Sequence, residues 1–155
     1  MSIEMSNNYP PPTEEQLSTV ENKINREIPH SFRKFLLRYN SGHPTPSDFR
    51  IKGRENEALS IGTIKSFLGV GTPVETINID YIFNAFRDRI PIDFFPVARD
   101  PGGNLIGIGG RGDGSSDVNF WDHEEEADDG RPPTRKNIYR IAVTFDEFIS
   151  GLFES

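Results

Sequence analysis

Asp100-Pro101-Gly102-Gly103-Asn104 separates two short apolar runs, Phe94-Phe95-Pro96-Val97-Ala98 and Leu105-Ile106-Gly107-Ile108. Asp and Asn bond to nearby backbone, Pro presets a turn dihedral and Gly admits positive φ, so this segment reverses the chain. A reversal this short joins antiparallel neighbours, whereas parallel strands need a crossover of about a dozen residues or more. The centre of the chain is therefore predicted to be an antiparallel sheet, not a series of βαβ units. The first run is expected as a buried edge or first strand, and the second as a strand with little room for polar groups.

Helices are predicted at both ends of that sheet. Thr13 and Gln16 form a capping box, with Glu14 and Glu15 in the first turn and Leu17, Val20 and Ile24 on one face. Pro29 suits the opening of a second helix, in which Phe32, Phe35, Leu36 and Tyr39 recur at helical spacing. Asn40-Ser41-Gly42 ends it, with a left-handed residue expected at Asn40 or Gly42. Thr144 and Glu147 form another capping box, Val143 and Phe148 hold hydrophobic-staple positions, and Phe145, Phe148, Ile149 and Leu152 share a face.

Between these ends the periodicity is less regular. Phe49 and Ile51 suggest a strand, and Leu59, Ile61 and Ile64 to Leu68 suggest another. Asp80 is expected to cap a third helix carrying Ile82, Phe83 and Phe86, which Pro91 ends. Gly109 to Asp117 reads as a flexible link, Val118 to Trp121 as a short strand, and Tyr139, Ile141 and Val143 as an alternating strand. Residues 1–12, ending in Pro10-Pro11-Pro12, read as a flexible arm, and residues 13–155 as one domain. The fold class is α+β: a twisted antiparallel sheet flanked by N-terminal helices and a C-terminal helix.

The bulk numbers fit one core. The 155 residues include twelve Phe and no cysteine, which excludes disulfide scaffolds and thiolate metal sites. The formal charge of -7 argues against phosphate contact and so against direct nucleic-acid binding. The opening residues lack the basic and apolar regions of a signal peptide, and no apolar run is long enough for a membrane span. A cytoplasmic location follows as an expectation.

Motifs for chemistry are sparse. Gly107, Gly109, Gly110, Gly112 and Gly114 are dense, but no GxxxxGK[ST] pattern or helical pattern accompanies them. Arg111-Gly112-Asp113 matches the adhesion tripeptide without any supporting context. His30, His43 and His123 have no metal-ligand spacing, and Asp113, Asp117 and Asp122 do not follow a calcium-loop pattern. No GxSxG elbow is present. Neither a metal nor a cofactor is expected, and catalysis is not expected. The densest charge is Asp122, Glu124, Glu125, Glu126, Asp128 and Asp129, directly after Trp121. These carboxylates are the candidate partner-binding residues, with Trp121 either an aromatic anchor beside them or a core side chain beneath them.

Four blocks together resemble the SUKH superfamily, which includes bacterial toxin-immunity proteins and the fungal cell-wall assembly regulator. The first is Ile28 to Leu36 with Tyr39-Asn40-Ser41-Gly42-His43-Pro44, similar to "LPxxYxxFLxxxNGG". The second is Phe95-Pro96-Val97-Ala98 with Asp100, Gly102-Gly103-Asn104 and Leu105, similar to "PIAxDxxGN". The third is Val118 to Glu124, similar to "VYFWDHE", and the last is Ile141-Ala142 with Thr144-Phe145 and Phe148, similar to "IAxSFxEFL". The chain departs from the pattern at His43, where a second Gly is usual, at Phe32 and Phe120, and in lacking a tryptophan in the first helix.

The resemblance implies an antiparallel sheet flanked by helices, without a catalytic centre. It implies an intracellular immunity protein whose partner is a cognate polymorphic toxin, often a nuclease. The alternative within the same resemblance is a regulatory or scaffold module. A small hydrolase built on the acidic residues is a further possibility, and it requires a concave site with perturbed carboxylates.

Overall fold

In the computed structural model, which describes residues 3–53 and 60–155, the three prolines run directly into helix α1 (Glu14–Ile24). The Gln16 N–H donates to Thr13 Oγ1 at 3.1 Å and the Thr13 N–H donates to Gln16 Oε1 at 2.9 Å, so the box closes in both directions. Leu17 and Val20 are buried. Asn25 ends the helix in the left-handed region, a conformation its short polar side chain tolerates. Pro29 then opens α2 (His30–Leu36), with Phe32 and Leu36 fully buried. Arg33 of α2 donates to both Glu14 and Glu21 of α1, which fixes this helical corner.

The exit from α2 meets the expectation at Gly42 and departs from it in where the helix ends and at Asn40. The helix ends at Leu36, and the left-handed residues are Ser41 and Gly42, not Asn40. Asn40 is buried and acts as a bracket. Its Nδ2 donates to the carbonyls of Pro10 and Val70, and its Oδ1 accepts from the Val70 N–H at 2.8 Å. Gly42 is needed for a second reason: a Cβ there would lie 2.6 Å from the Met5 side chain.

Met5 belongs to β1 (Glu4–Ser6), which pairs antiparallel with β2 (His43–Thr45). The Tyr9 N–H also donates to the Asn40 carbonyl at 2.9 Å. The stretch expected as a loose arm is thus hydrogen-bonded to the body of the protein over much of its length. A second ribbon joins β3 (Asp48–Arg50) to β4 (Ile61–Thr63). Leu59, expected in that strand, lies outside the described residues.

The main sheet has five antiparallel strands in chain order: β5 (Ser66–Phe67), β6 (Phe95–Arg99), β7 (Leu105–Ile108), β8 (Val118–Trp121) and β9 (Ile138–Ala142). The predicted hairpin between β6 and β7 is present, and Asp100 Oδ1 accepts from the Gly102 and Asn104 N–H groups across its turn. However, β6 is an inner strand, because β5 pairs with its other side. Helix α3 (Ile79–Ala85) interrupts the strands; Asn78 occupies its cap position, and Asp80 lies in its first turn, favourable to the helix dipole. Helix α4 (Phe145–Ser150) follows β9, with the Glu147 N–H donating to Thr144 Oγ1 at 3.1 Å. At the two staple positions Val143 is exposed and Phe148 is buried.

Aromatic rings join these layers. Phe32 of α2 meets Phe95 of β6 and Phe145 of α4, while Phe49 of β3 meets Phe120 of β8 and Phe148 of α4. Each such ring contributes on the order of 2–3 kcal/mol through burial, so the aromatic seam is a large share of the driving force. Trp121 is fully buried against Phe86, which settles the choice between core and exposed anchor in favour of core.

Candidate partner-binding surfaces

The acidic segment begins where β8 stops. Asp122 is buried, and its N–H donates to the Asn137 carbonyl at 3.0 Å, extending the pairing by a residue. Its Oδ1 accepts from the Glu124 N–H at 3.0 Å and starts a single 3-10 turn over His123–Glu125. Asp122 therefore shapes the segment and is not displayed on it.

The hairpin turn holds that segment in place. Asp100 grips Asn104 through the backbone N–H at 2.7 Å and through Nδ2 at 2.8 Å. Asn104 Oδ1 in turn accepts from the His123 N–H at 2.9 Å. The turn residues thus do more than reverse the chain: they position the start of the acidic turn.

The other predicted contact residues divide by their partners. Glu125 accepts from the Tyr139 hydroxyl at 2.7 Å. Glu126 accepts from Arg89 Nε at 3.0 Å and from Nη2 at 2.9 Å, a bidentate pair. Hydrogen bonding to Glu126 raises the Arg89 pKa above its ordinary value, with the Glu126 and Asp129 charges adding to the effect. The Asp128 carbonyl accepts from the Arg131 N–H. Glu124, Glu125, Asp128 and Asp129 are exposed, and with Glu125 engaged by Tyr139 the carboxylates most available to a partner are Glu124, Asp128 and Asp129.

The glycine-rich link carries no helix start. Arg111 folds back onto Asp113 at 3.1 Å and onto Asp117 at 2.9 Å, so its guanidinium is committed to its own loop. No group of three or more His, Asp or Glu among the described residues is placed to hold a metal ion.

One surface escaped the sequence reading. An open groove of about 740 Å³ lies between the end of α1, the segment from α3 to Ile92, and Pro133 to Arg135. The sequence marks Phe83 and Phe86 as apolar, but the Arg26 guanidinium over Phe83 is a tertiary arrangement. The local signal for this surface is Ile92, an aliphatic residue set between Pro91 and Asp93.

The family model described as SMI1 / KNR4 family (SUKH-1) matches residues 11–151. The chain belongs to the SUKH-1 family. It is also similar to the SPbeta prophage-derived uncharacterized protein YokK of Bacillus subtilis (strain 168). The two are 24% identical over 160 residues, covering 92% of this chain and 75% of that protein.

The SUKH-1-like blocks have structural tasks in this chain. The first supplies α2 and the Asn40 bracket, the second supplies β6 and the Asp100–Asn104 turn, and the third supplies β8 and Asp122. The exposed Asp128 and Asp129, together with the groove, lie outside those blocks. Physically, the blocks build the scaffold and leave the presented chemistry to segments between them. Among the described residues, no helix is long and apolar enough to cross a membrane.

Proposed function

We propose that this SUKH-1 protein is a non-catalytic, cytoplasmic immunity protein that binds a cognate toxin and neutralises it. The observation carrying this reading is an acidic segment anchored to the family scaffold by hydrogen bonds. Asn104 secures its start and Arg89 clamps its middle, while Glu124, Asp128 and Asp129 face solvent. A segment whose backbone is already held in place loses less backbone entropy on binding, and its exposed carboxylates attract a basic partner from a distance.

A nuclease toxin is the partner class best matched to this charge. Its substrate channel must be basic to hold phosphate, and carboxylates can occupy the same channel. The acidic segment would block access without performing a reaction.

The test is co-expression with a toxin domain encoded in the adjacent reading frame. Restored growth together with a stoichiometric complex is expected. Unrelieved toxicity with no complex would overturn the proposal. Replacing Glu124, Asp128 and Asp129 by their amides then asks whether this segment makes the contact.

A further inference from the structure

The groove beside α1 has a chemistry opposite to that of the acidic segment. Its lining includes Lys23, Arg26, Arg87 and Arg135 against only Asp80 and Asp88, in a protein whose net charge is -7. Lys23 and Asp80 form a 3.7 Å pair at the rim. Arg135 is paired with Asp93 at 2.7 Å, and Asp93 also accepts from the Gly112 N–H at 3.0 Å.

Arg26 is left differently. Its guanidinium carbon lies 5.6 Å from the ring centroids of both Phe83 and Phe95. It has no carboxylate within ion-pair distance among the described residues, and its side-chain N–H groups have no protein acceptor there. Burial draws its pKa below the ordinary value, and the Asp93 charge only partly opposes this. Its position just after α1 suits the helix dipole, which accounts for a cation here but not for an unused donor edge. Among the described residues, Arg87 donates to the neutral Asn84 amide at 3.3 Å. Ile92, also in the groove lining, is 83% exposed.

An aromatic-stacked guanidinium is held in plane and offers parallel donors to a carboxylate. An isolated anion would satisfy those donors but leave the exposed aliphatic surface of the same groove wet. A peptide bearing a carboxylate beside an aliphatic side chain would use both. We propose that this groove binds an extended acidic segment of a partner protein, with a carboxylate on Arg26 and a flanking aliphatic side chain against Ile92. The proposal does not require that partner to be a toxin.

The probes are a short synthetic peptide with a Glu-Leu-Asp-Leu core, its Gln-Leu-Asn-Leu counterpart, and inorganic phosphate, each titrated into the full ¹⁵N-labelled chain. The acidic peptide is expected to shift amides at 23–26, 83–90, 92 and 134–135, with much weaker shifts from the amide peptide. Arg26→Gln and Ile92→Ser should each weaken acidic-peptide binding by about ten-fold, while Arg140→Gln on β9 should not. Ile92→Ser keeps the test decisive if Arg26→Gln perturbs folding. Absence of acidic-peptide binding, equal binding of the amide peptide, or shifts elsewhere would overturn the proposal. So would phosphate shifts as strong as the peptide's, which mark a simple anion site. Concentration-dependent shifts at the same amides without peptide would instead identify a second copy as occupant and also overturn it. These outcomes are independent of toxin rescue in co-expression.

Discussion

Arg89 grips Glu126 through two parallel hydrogen bonds while its guanidinium lies over Phe86 at 4.5 Å and over Trp121 at 5.6 Å. One side chain thus joins the acidic segment to the core tryptophan. Arg89→Ala should destabilise the fold by about 1–2 kcal/mol, most of it from lost stacking because the ion pair is partly exposed. Arg89→Lys should recover little of this, since an ammonium cannot make the fork. Urea denaturation measures both changes.

Asn40→Ala removes the bracket between the Pro10 and Val70 backbones. It leaves buried backbone groups without their partner and should cost about 2–4 kcal/mol by chemical denaturation. Amide exchange should rise near Tyr9, whose N–H bonds to the Asn40 carbonyl. A change below about 0.5 kcal/mol would show that water replaces the side chain at little cost.

Gly107→Ala places a Cβ 2.4 Å from the Phe94 ring in the middle of β7. Neither the ring nor the inner strand can move without disturbing close packing, so a loss of about 2–4 kcal/mol is expected. Thermal denaturation should show a lower midpoint. Reducing Phe94 to Leu in the same chain should restore part of the loss.

Asp93 provides a signed pH effect. Burial alone would raise its pKa, but the Arg135 hydrogen bond, the Gly112 N–H and the Arg135 charge together hold it below the ordinary 3.8. Its folded pKa is therefore depressed, and its contribution to stability is present above about pH 3.9. That contribution is lost as pH falls through the folded value. Asp93→Asn should lower stability at neutral pH and flatten the acid limb of a stability profile; an unchanged limb would contradict the assignment.

For the acidic segment, amides at Glu124, Asp128 and Asp129 should leave unfolding unchanged within about 0.5 kcal/mol, as these side chains are exposed. Association with a basic toxin should slow by about ten-fold at low salt, with the difference shrinking as salt rises. Stopped-flow association rates measure this directly. A salt-independent loss would point to specific contacts, not steering.

Local signals carried the parts of the fold built from neighbours in sequence. Thr13 with Gln16, Thr144 with Glu147, and Asp100 to Asn104 each lie within a few residues of the groups they organise. The pairing of Met5 with Pro44 left no such trace, because its partner strands are distant in the chain. The interior place of β6 was hidden by the brevity of β5, whose two residues are too few to establish a period. Asp122 looked like the acids after it, yet it continues the strand pairing and is buried. Arg26, Phe83 and Phe95 come from separate elements, so their stack became visible only with tertiary structure.

The burial of every residue in β7 and β8, with β6 nearly as enclosed, gives the molecule an internal reference clock. Amide protons at the centre of this unit exchange only through large openings, whereas rim segments exchange through local ones. A ligand that slows exchange only at the groove or after Trp121 leaves a local footprint. One that slows the clock itself has stabilised the entire domain.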